Sequence, residues 1–423
     1  MKEVISDFTR IPVKIWASNL ESGARQQAIN MANMPCAFHH VGVMPDGHQG
    51  YGVPIGGVLA LKGAICPNAC GVDIGCGMCA VETTLDADAL ADMEIRREFQ
   101  NLLKSRMPVG EGHSHQNPQE WDGFEEYKDE VSSAGLGKLS PDLVFPWPNE
   151  TDRRNLGSLG GGNHFSELQK SVMDGRGKVG KVWLMIHSGS RNLGKRIADH
   201  YHKIAKELGA RWCVNLPDQD LAFLPTDDEA GQAYIRDMNF ALRYARENRK
   251  RMMNVMVETL EEICVRHGFG KFPIYQELDV HHNYVAMEYH FGENVWVHRK
   301  GATSAKKDEL GIIPGSMGTA SYIVKGLGSE DSFCSCSHGA GRRMSRTDAT
   351  LNLTVEECDE AMKGIVCERW SKAKSRGKKN KLEGRYDLSE APGAYKDIEE
   401  VIRNEEDLVT PVVRLVPLAC LKG

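Results

Sequence analysis

Apolar residues recur at helical spacing through one long stretch of the chain, residues 226–267. One face of this stretch carries Tyr234, Met238, Ala241, Ala245, Met252, Met256, Leu260 and Ile263. Apolar positions three and four residues apart predict an amphipathic helix that turns this face to the core. Thr226 and Glu229 have the spacing of a capping box at its start, and Gly268 is placed to end it. We therefore expect the longest helix of the protein here.

Shorter stretches carry the same helical pattern. Residues 21–34 contain few β-branched residues and no proline, and residues 85–106 alternate acidic and apolar groups at helical spacing. Thr354 and Glu357 form a second possible capping box, from which we expect a helix that runs to about Lys374.

Short apolar runs separated by glycines dominate residues 39–78 and predict strands joined by tight turns. Asp46 and His48 fall in one such turn, where we expect them to contact a substrate or to support the groups that do. A later apolar run ends at His187 and passes through a short turn into a helical pattern. The N-terminus of that helix, together with the nearby Arg191, predicts an anion site.

Composition and charge narrow the function classes. A net charge of −6 over 423 residues argues against a protein that coats nucleic acid non-specifically, but it allows a local basic groove. We find no apolar run that would span a bilayer and no signal peptide, so we expect a cytoplasmic protein without a membrane partner. The polar, proline-containing residues 110–152 predict a surface insertion. The basic run 372–381 predicts a solvated loop with scope for RNA contact.

The stretch Cys70-Gly71-Val72-Asp73-Ile74-Gly75-Cys76-Gly77-Met78-Cys79 holds the first candidate chemistry. Its glycines allow the sharp turns that would bring Asp73 and Cys76 to one point. A carboxylate and a thiolate together suit a divalent transition metal. Two alternatives remain open for the same residues. Cys76 and Cys79 have the spacing of a redox pair, and a structural zinc knot would use Cys66, Cys70, Cys76 and Cys79.

Histidines in glycine-rich surroundings strengthen the metal interpretation. The candidate ligands are Asp73, Cys76, His164, His187 and His282. One thiolate, one carboxylate and three imidazoles would bind two divalent ions if the sulfur bridges them, and such pairs promote phosphoryl chemistry. His338 remains as a nucleophile, and Arg191 and Arg346 as anion-binding groups. Arg249 lies beside the apolar stripe, and we expect it to point at the site. The residues alone thus predict a metal-dependent phosphoryl or nucleotidyl transferase.

Motifs along nearly the whole chain resemble the RtcB family of GTP-dependent RNA ligases. They read MPDGHQGYGVPIGG, GVDIGCGM, GGGNHFSE, HSGSRNLG, HHNY, GIIPGSMGTASYIV, SCSHGAGRRMSR, AYKDI and the terminal LKG. Many glycine-framed motifs in one order are far more specific than any single motif. The resemblance implies one α+β catalytic unit over residues 1–423, with mixed and antiparallel sheets surrounded by helices.

The resemblance also implies roles for individual residues. Asp73, Cys76, His164, His187 and His282 match the family's ligands for two Mn²⁺ ions. His338 matches the histidine that forms a guanylyl-histidine intermediate with GTP, and Arg191 and Arg346 match residues that hold RNA phosphates. The implied guanine-nucleotide contacts are Asn163, His164, Phe165, Ser166, Glu167, His282, Asn283, Pro314, Gly315, Ser316, Met317, Ser321, His338, Gly339, Ala340, Gly341, Tyr395 and Lys422.

The implied reaction joins an RNA 3′-phosphate or 2′,3′-cyclic phosphate end to a 5′-hydroxyl end through an RNA-ppG activated end, in RNA repair or tRNA splicing. Gly47 and the thiols Cys66, Cys70 and Cys79 depart from the family pattern, but no ligand or nucleophile is missing. One alternative is a two-metal RNA-end phosphoesterase, which would leave His338 and Lys422 unused. The other is a non-catalytic RNA-binding protein with structural zinc. The sequence leaves open the physiological RNA, the metal, an activating protein partner and the oligomeric state.

Overall fold

A computed structural model describes residues 1–133, 148–373 and 382–423. The helices in these ranges are α1 (Ser22–Ala32), α2 (Met93–Arg106), α3 (Gly123–Ser133), α4 (Glu150–Asn155), α5 (Leu193–Arg211), α6 (Glu229–Arg266), α7 (Arg346–Asn352), α8 (Val355–Ala361) and α9 (Ile398–Asn404). The strands are β1 (Glu3–Ile5), β2 (Val13–Ile15), β3 (Ala37–His48), β4 (Ile55–Leu61), β5 (Ala64–Ile65), β6 (Gly77–Asp86), β7 (Phe165–Asp174), β8 (Lys181–Ser188), β9 (Leu224–Pro225), β10 (Ile274–His281), β11 (Asn283–His290), β12 (Glu293–Lys300), β13 (Ala302–Ser304), β14 (Leu310–Ile313), β15 (Ser321–Gly326), β16 (Ser335–Ser337), β17 (Val366–Cys367) and β18 (Val409–Lys422).

Two mixed sheets form the body of the protein. The first has six strands in the order β1-β2-β3-β4-β12-β11. The second follows the order β10-β6-β8-β7-β18-β15-β14, with β17 paired to β18. Most neighbours are antiparallel, while β2 pairs with β3, and β17 with β18, in parallel. The predicted α+β architecture with mixed and antiparallel sheets is therefore confirmed.

Helix α6 confirms the prediction from the apolar stripe, because every residue of that stripe is buried. Its N-terminal cap differs from the prediction. Asp228, and not Thr226, accepts a hydrogen bond from the Ala230 N–H at 2.9 Å, since the helix begins at Glu229. Gly268 follows the C-terminus with φ of +80°, a conformation that suits glycine.

Two other predicted helices differ from the structure. Leu85 and Asp86 belong to strand β6, so helix α2 covers only the later part of the predicted segment. The capping box of Thr354 and Glu357 is present, but α8 ends at Ala361 instead of continuing to about Lys374. Gly364, with φ of +81°, follows that end and breaks the helical path.

Residues 110–152 contain α3, which packs against the core. Phe124 and Tyr127 of this helix are fully buried against α5 and α6, so the segment is more than a surface insertion. Residues 134–147 lie outside the described residues. So do residues 374–381, which make up most of the basic run predicted at 372–381. Among the described residues, no helix combines the length and apolarity needed to cross a membrane.

The register of the second sheet brings distant chain segments to one edge. Gly77, at the start of β6, pairs with Ser188 at the end of β8 and with His281 at the end of β10. Phe165, the first residue of β7, pairs with His187. The residues next to these strand ends therefore meet in space, although they lie far apart in sequence.

Candidate active site

The five predicted metal ligands converge at this edge of the sheet. Cys76, His187 and His282 form one group whose ligand atoms lie within 4.8 Å of one another, and Asp73, Cys76 and His164 form a second. The Cys76 sulfur belongs to both groups. It lies 3.2 Å from His187 Nε2 and 3.5 Å from His164 Nε2. The sulfur is thus the one ligand atom that the two groups share.

Backbone carbonyls orient two of the imidazoles. His164 Nδ1 lies 3.0 Å from the Leu159 carbonyl oxygen, and His187 Nδ1 lies 3.1 Å from the Asn163 carbonyl oxygen. An N–H at Nδ1 that donates to a carbonyl leaves the lone pair of Nε2 facing the centre of the cluster. Within the described part of the chain, the buried Nδ1 of His282 has no such partner. Imidazoles in this orientation are suited to hold a cation.

Glycines make room for the ligand side chains. A Cβ added at Gly189 would lie 2.2 Å from Asp73 Oδ2, so any side chain there would displace the carboxylate. Gly75 has φ of +80°, and a Cβ there would lie 2.8 Å from the Ala245 side chain on α6. The glycines around Asp73 and Cys76 thus serve the close approach that the sequence predicted.

Burial sets the protonation of most of the ligand side chains. Burial and the neighbouring Asp73 carboxylate raise the pKa of Cys76 well above its usual range. Burial lowers the pKa of His187 and of His282 well below the usual value, so both rings are neutral. Burial opposes ionisation of Asp73, but the neighbouring His164, Arg191 and Ser190 side chains hold its pKa at about 2. A bound cation would replace the thiol proton of Cys76.

The donor set fits a transition metal and not a hard cation. Oxygen, nitrogen and sulfur ligands together suit Mn²⁺, Zn²⁺, Co²⁺ or Fe²⁺, whereas Mg²⁺ and Ca²⁺ prefer oxygen. Neither ligand group among the described residues includes Cys66, Cys70 or Cys79. Cys79 instead packs in the hydrophobic core between β6 and α6. The alternative of a zinc knot built from the four cysteines is therefore wrong.

Arg249 supports the ligand loops from behind. Its guanidinium is fully buried and binds both carboxylate oxygens of Asp279, at 2.9 and 2.7 Å. It also donates to the carbonyl oxygens of Gly75 at 2.8 Å and Ser188 at 3.1 Å. Gly75 precedes Cys76 and Ser188 follows His187, so Arg249 ties two ligand-bearing segments together. It points at the site, as expected, but it contacts the main chain there.

His338 follows strand β16 and is held by Asp46. His338 Nδ1 lies 2.5 Å from Asp46 Oδ2, and the His338 backbone N–H donates to the same oxygen at 3.1 Å. Asp46 is completely buried, and it lies in strand β3 together with His48, not in a turn as predicted. The His338 ring centre is 4.9 Å from that of His282. Asp46 therefore supports the candidate nucleophile beside the metal ligands.

A cavity of about 650 Å³ opens in front of His338. The predicted site residues that line it are Asp73, Cys76, Asn163, Phe165, His187, His282, Asn283, Pro314, Gly315, Ser316, Met317, His338, Gly339, Ala340, Gly341, Arg346, Tyr395 and Lys422. The predicted residues that are not part of its wall are His164, Ser166, Glu167, Arg191 and Ser321. The structure thus gathers most of the predicted contacts around one space.

Two of the residues outside the wall are linked beneath it. The Gln169 side-chain amide donates to Glu167 at 2.6 Å and to Ser321 at 3.2 Å. Ser321 also accepts a hydrogen bond from the Gly315 N–H at 3.3 Å, and so supports the loop that lines the cavity. Burial raises the pKa of Glu167 to about 7.

The two predicted phosphate-binding arginines lie against the glycine-rich loop before His164. Arg191 donates to Ser158 at 3.1 Å, and a Cβ at Gly160 would lie 2.1 Å from its guanidinium. Arg346 is half exposed, and a Cβ at Gly162 would lie 2.9 Å from its guanidinium. The glycines are thus needed for both arginines to approach the loop.

Glu390 is a site residue that the sequence reading missed. It accepts hydrogen bonds from Arg346 at 3.0 Å, from Arg342 and Lys422 at 3.2 Å each, and from the Tyr395 hydroxyl. Burial opposes its ionisation, but the surrounding cations hold its pKa at about 2. The signal available in the sequence was weak, since Glu390 stands five residues before Tyr395 in an otherwise polar segment.

Comparison with known proteins identifies the family. The family described as tRNA-splicing ligase RtcB matches residues 27–423. The chain is 39% identical to the RNA-splicing ligase RtcB of Escherichia coli strain K12 over 420 residues, 97% of each protein. It is 31% identical to the tRNA-splicing ligase RtcB of Pyrobaculum aerophilum, over 98% of this chain and 95% of that protein. The chain therefore belongs to the RtcB family of RNA ligases.

Proposed function

We propose that this protein is a GTP- and manganese-dependent RNA ligase that acts through a guanylyl-histidine at His338. It joins an RNA 3′-phosphate or 2′,3′-cyclic phosphate end to a 5′-hydroxyl end, in RNA repair or tRNA splicing. The observation that carries the proposal is the position of His338. Asp46 holds its Nδ1, and the ring lies beside His282 in the cavity. Residues between Asp46 and Lys422 contribute side chains to this one site, which supports a single catalytic unit.

The arrangement of His338 suits a nucleophilic imidazole. Because the Asp46 carboxylate accepts a hydrogen bond from the N–H at Nδ1 of His338, the lone pair of the ring is on Nε2. Nε2 forms a bond to the α-phosphorus of GTP, and the bond from that phosphorus to the bridging oxygen breaks, which releases pyrophosphate. The imidazole of the phosphorus–nitrogen adduct carries a positive charge, and the Asp46 carboxylate stabilises it.

The adduct then activates the RNA. An oxygen of the RNA 3′-phosphate attacks the phosphorus on His338, which frees the imidazole and gives an RNA-ppG end. The RNA 5′-hydroxyl attacks the 3′-phosphate of that end, loses its proton and displaces GMP. A 2′,3′-cyclic phosphate end must first be opened by hydrolysis. Arg191 and Arg346 are the groups that hold the RNA phosphates in this proposal.

The metal ligands fit this chemistry. Asp73, Cys76, His164, His187 and His282 would hold two Mn²⁺ ions with the Cys76 sulfur between them. Divalent cations there supply positive charge that stabilises phosphate oxygens during transfer. Around the nucleotide, the loop of Pro314, Gly315, Ser316 and Met317 offers main-chain groups, and Tyr395 offers a ring for the guanine. Lys422 is placed to neutralise a phosphate.

Self-labelling tests the proposal. The protein is incubated with GTP labelled on the α-phosphate and Mn²⁺, then separated on a denaturing gel. We expect a labelled protein band for the wild type and no band for His338→Ala. The band should be unchanged for His267→Ala, which alters an exposed histidine that is not part of the cavity wall. A wild type that stays unlabelled while it removes phosphate from RNA ends would replace the ligase with the two-metal phosphoesterase.

A further inference from the structure

Tyr51 stands out beside the cavity because its side chain is exposed on a segment that is otherwise fixed. Its relative exposure is 58%, whereas the next two residues, Gly52 and Val53, are buried. Gly50 on one side and Ile55 on the other line the cavity in front of His338. Tyr51 is therefore flanked in the chain by residues of the cavity wall, and its side chain is exposed to solvent.

Contacts from helix α1 fix the segment before Tyr51. The Gln27 side chain donates to the Gly50 carbonyl oxygen at 2.8 Å and accepts from the Gly50 N–H at 3.1 Å. The Glu21 carboxylate accepts the N–H of Gln49. Most surface loops are mobile, whereas each of these contacts reduces the conformational freedom of the main chain that carries Tyr51.

A buried cation fixes Tyr51 itself. The ammonium of Lys300, whose residue is only 3% exposed, donates to the Tyr51 carbonyl oxygen at 2.6 Å. Burial of an ammonium is unfavourable, and it lowers the pKa of Lys300 to about 8. Gly52 has φ of +68°, and a Cβ there would lie 2.8 Å from the Asp220 side chain. Helix α1 and strand β12 thus hold the main chain that carries this exposed aromatic residue.

The chemistry of the segment indicates what the ring would contact. Residues 48–55 (HQGYGVPI) carry no acidic side chain, lysine or arginine, whereas the cationic residues that line the cavity come from residues 342–346 and from Lys422. Those cations suit phosphates. An uncharged, fixed aromatic face suits a nucleobase, because every base has a flat face that stacks on it without dependence on sequence.

We propose that Tyr51 is a stacking platform for a nucleobase of the RNA, close to the end that reacts. The inference rests on the proposed function, since it takes RNA ends as the substrate of this cavity. It adds a contact with the base, whereas the residues assigned so far contact guanine nucleotide or phosphate. The rigid segment makes stacking favourable, because little further main-chain freedom is lost when RNA binds.

Separate measurement of the two half-reactions tests the platform. Tyr51→Ala should label with GTP like the wild type, while KM for RNA in ligation rises about 10-fold. Tyr51→Phe, which keeps the ring, should behave like the wild type. Tyr289→Ala removes a tyrosine that is 71% exposed and whose neighbours in the chain are not part of the cavity wall, and it should change neither step. RNA substrates with a single abasic nucleotide near one end locate the contact. When the missing base is the one that stacks on Tyr51, wild type and Tyr51→Ala should have the same KM for RNA.

Binding of RNA without GTP, followed by fluorescence anisotropy, keeps the test independent of the proposed chemistry. A wild-type protein that is not labelled by GTP would contradict the guanylyl-histidine. The Kd values of Tyr51→Ala, Tyr51→Phe and Tyr289→Ala for RNA would still show whether Tyr51 stacks on a base. Equal RNA affinity and equal ligation for Tyr51→Ala and wild type would overturn the inference. Equal losses in Tyr51→Phe and Tyr51→Ala would also overturn it, because stacking does not need the hydroxyl.

Discussion

At the scale of single residues, the reactivity of His338 depends on Asp46. In Asp46→Asn, the amide oxygen still accepts a hydrogen bond from His338 Nδ1, but the negative charge that stabilises a cationic imidazole is lost. We expect the initial rate of self-labelling by GTP to fall about 100-fold or more. Metal content and the thermal unfolding midpoint should stay near those of the wild type. A labelling rate within a few-fold of the wild type would show that Asp46 only positions the ring.

The same scale shows what the sequence predicts well. Asp73, Cys76, His164 and His187 stand out because glycines lie close to each of them in the sequence, whereas His282 stands out through the HHNY motif, and the structure brings all five together. Glu390 carries no such signal, because its role depends on four partners from three separate segments. A residue whose chemistry depends on long-range contacts cannot be recognised from its local sequence.

At the scale of elements, the contacts of Arg249 on helix α6 predict that the helix stabilises the metal site. Arg249→Met would leave Asp279 buried without its partner, and the Gly75 and Ser188 carbonyl oxygens would lose a donor. We expect the free energy of unfolding to fall by about 3 kcal/mol or more, and the affinity for Mn²⁺ to fall as well. Urea unfolding and metal titration measure the two effects.

Arg246→Met is the matched control for that experiment, because Arg246 lies on the exposed side of the same helix. It should leave both quantities almost unchanged. If Arg249→Met lost stability but kept full metal affinity, Arg249 would serve the core alone. Unchanged affinity for nucleotide and RNA would fit the structure, since Arg249 is not part of the cavity wall.

Element boundaries show why local patterns are an incomplete guide. The buried face of α6 follows from periodicity alone, but its cap at Asp228 depends on where the chain enters the helix. Helix α8 stops at Ala361, shortly before Gly364 and the β-branched Ile365 and Val366. The parallel strand β17 pairs there with β18, and tertiary pairing of this kind outweighs helix propensity.

At the scale of the whole molecule, the C-terminal strand is brought to the site. Strand β18 pairs with β7, so Lys422 comes opposite Phe165 and reaches the cavity. The family resemblance predicted the mixed sheets, whereas the sequence pattern alone predicted neither the strand order nor the partners of β18. Sheet register is set by contacts between distant segments, and one sequence without an alignment contains little information on it.

Glu405 links whole-molecule stability to the region behind the nucleophile. This fully buried residue follows α9 and accepts the Ser337 N–H at 2.8 Å, directly before His338. Burial raises the pKa of Glu405 to about 8, and the neighbouring Asp46 and Asp407 carboxylates act in the same direction. The folded protein therefore holds a proton on Glu405 at neutral pH, while the unfolded chain releases it near its ordinary value of about 4.3.

This pKa shift fixes the sign of a pH dependence. Between about pH 4.3 and 8 the folded state binds more protons than the unfolded state, so the stability contributed by protonated Glu405 is full below this window and is lost as the pH rises through it. Glu405→Gln removes that titration. The free energy of unfolding of wild type minus variant, from urea unfolding at constant Mn²⁺, should fall with pH by up to about 1.4 kcal/mol per unit. A difference independent of pH would mean that Glu405 is ionised in the folded protein, and Ser337 would then be held by a buried charge beside Asp46.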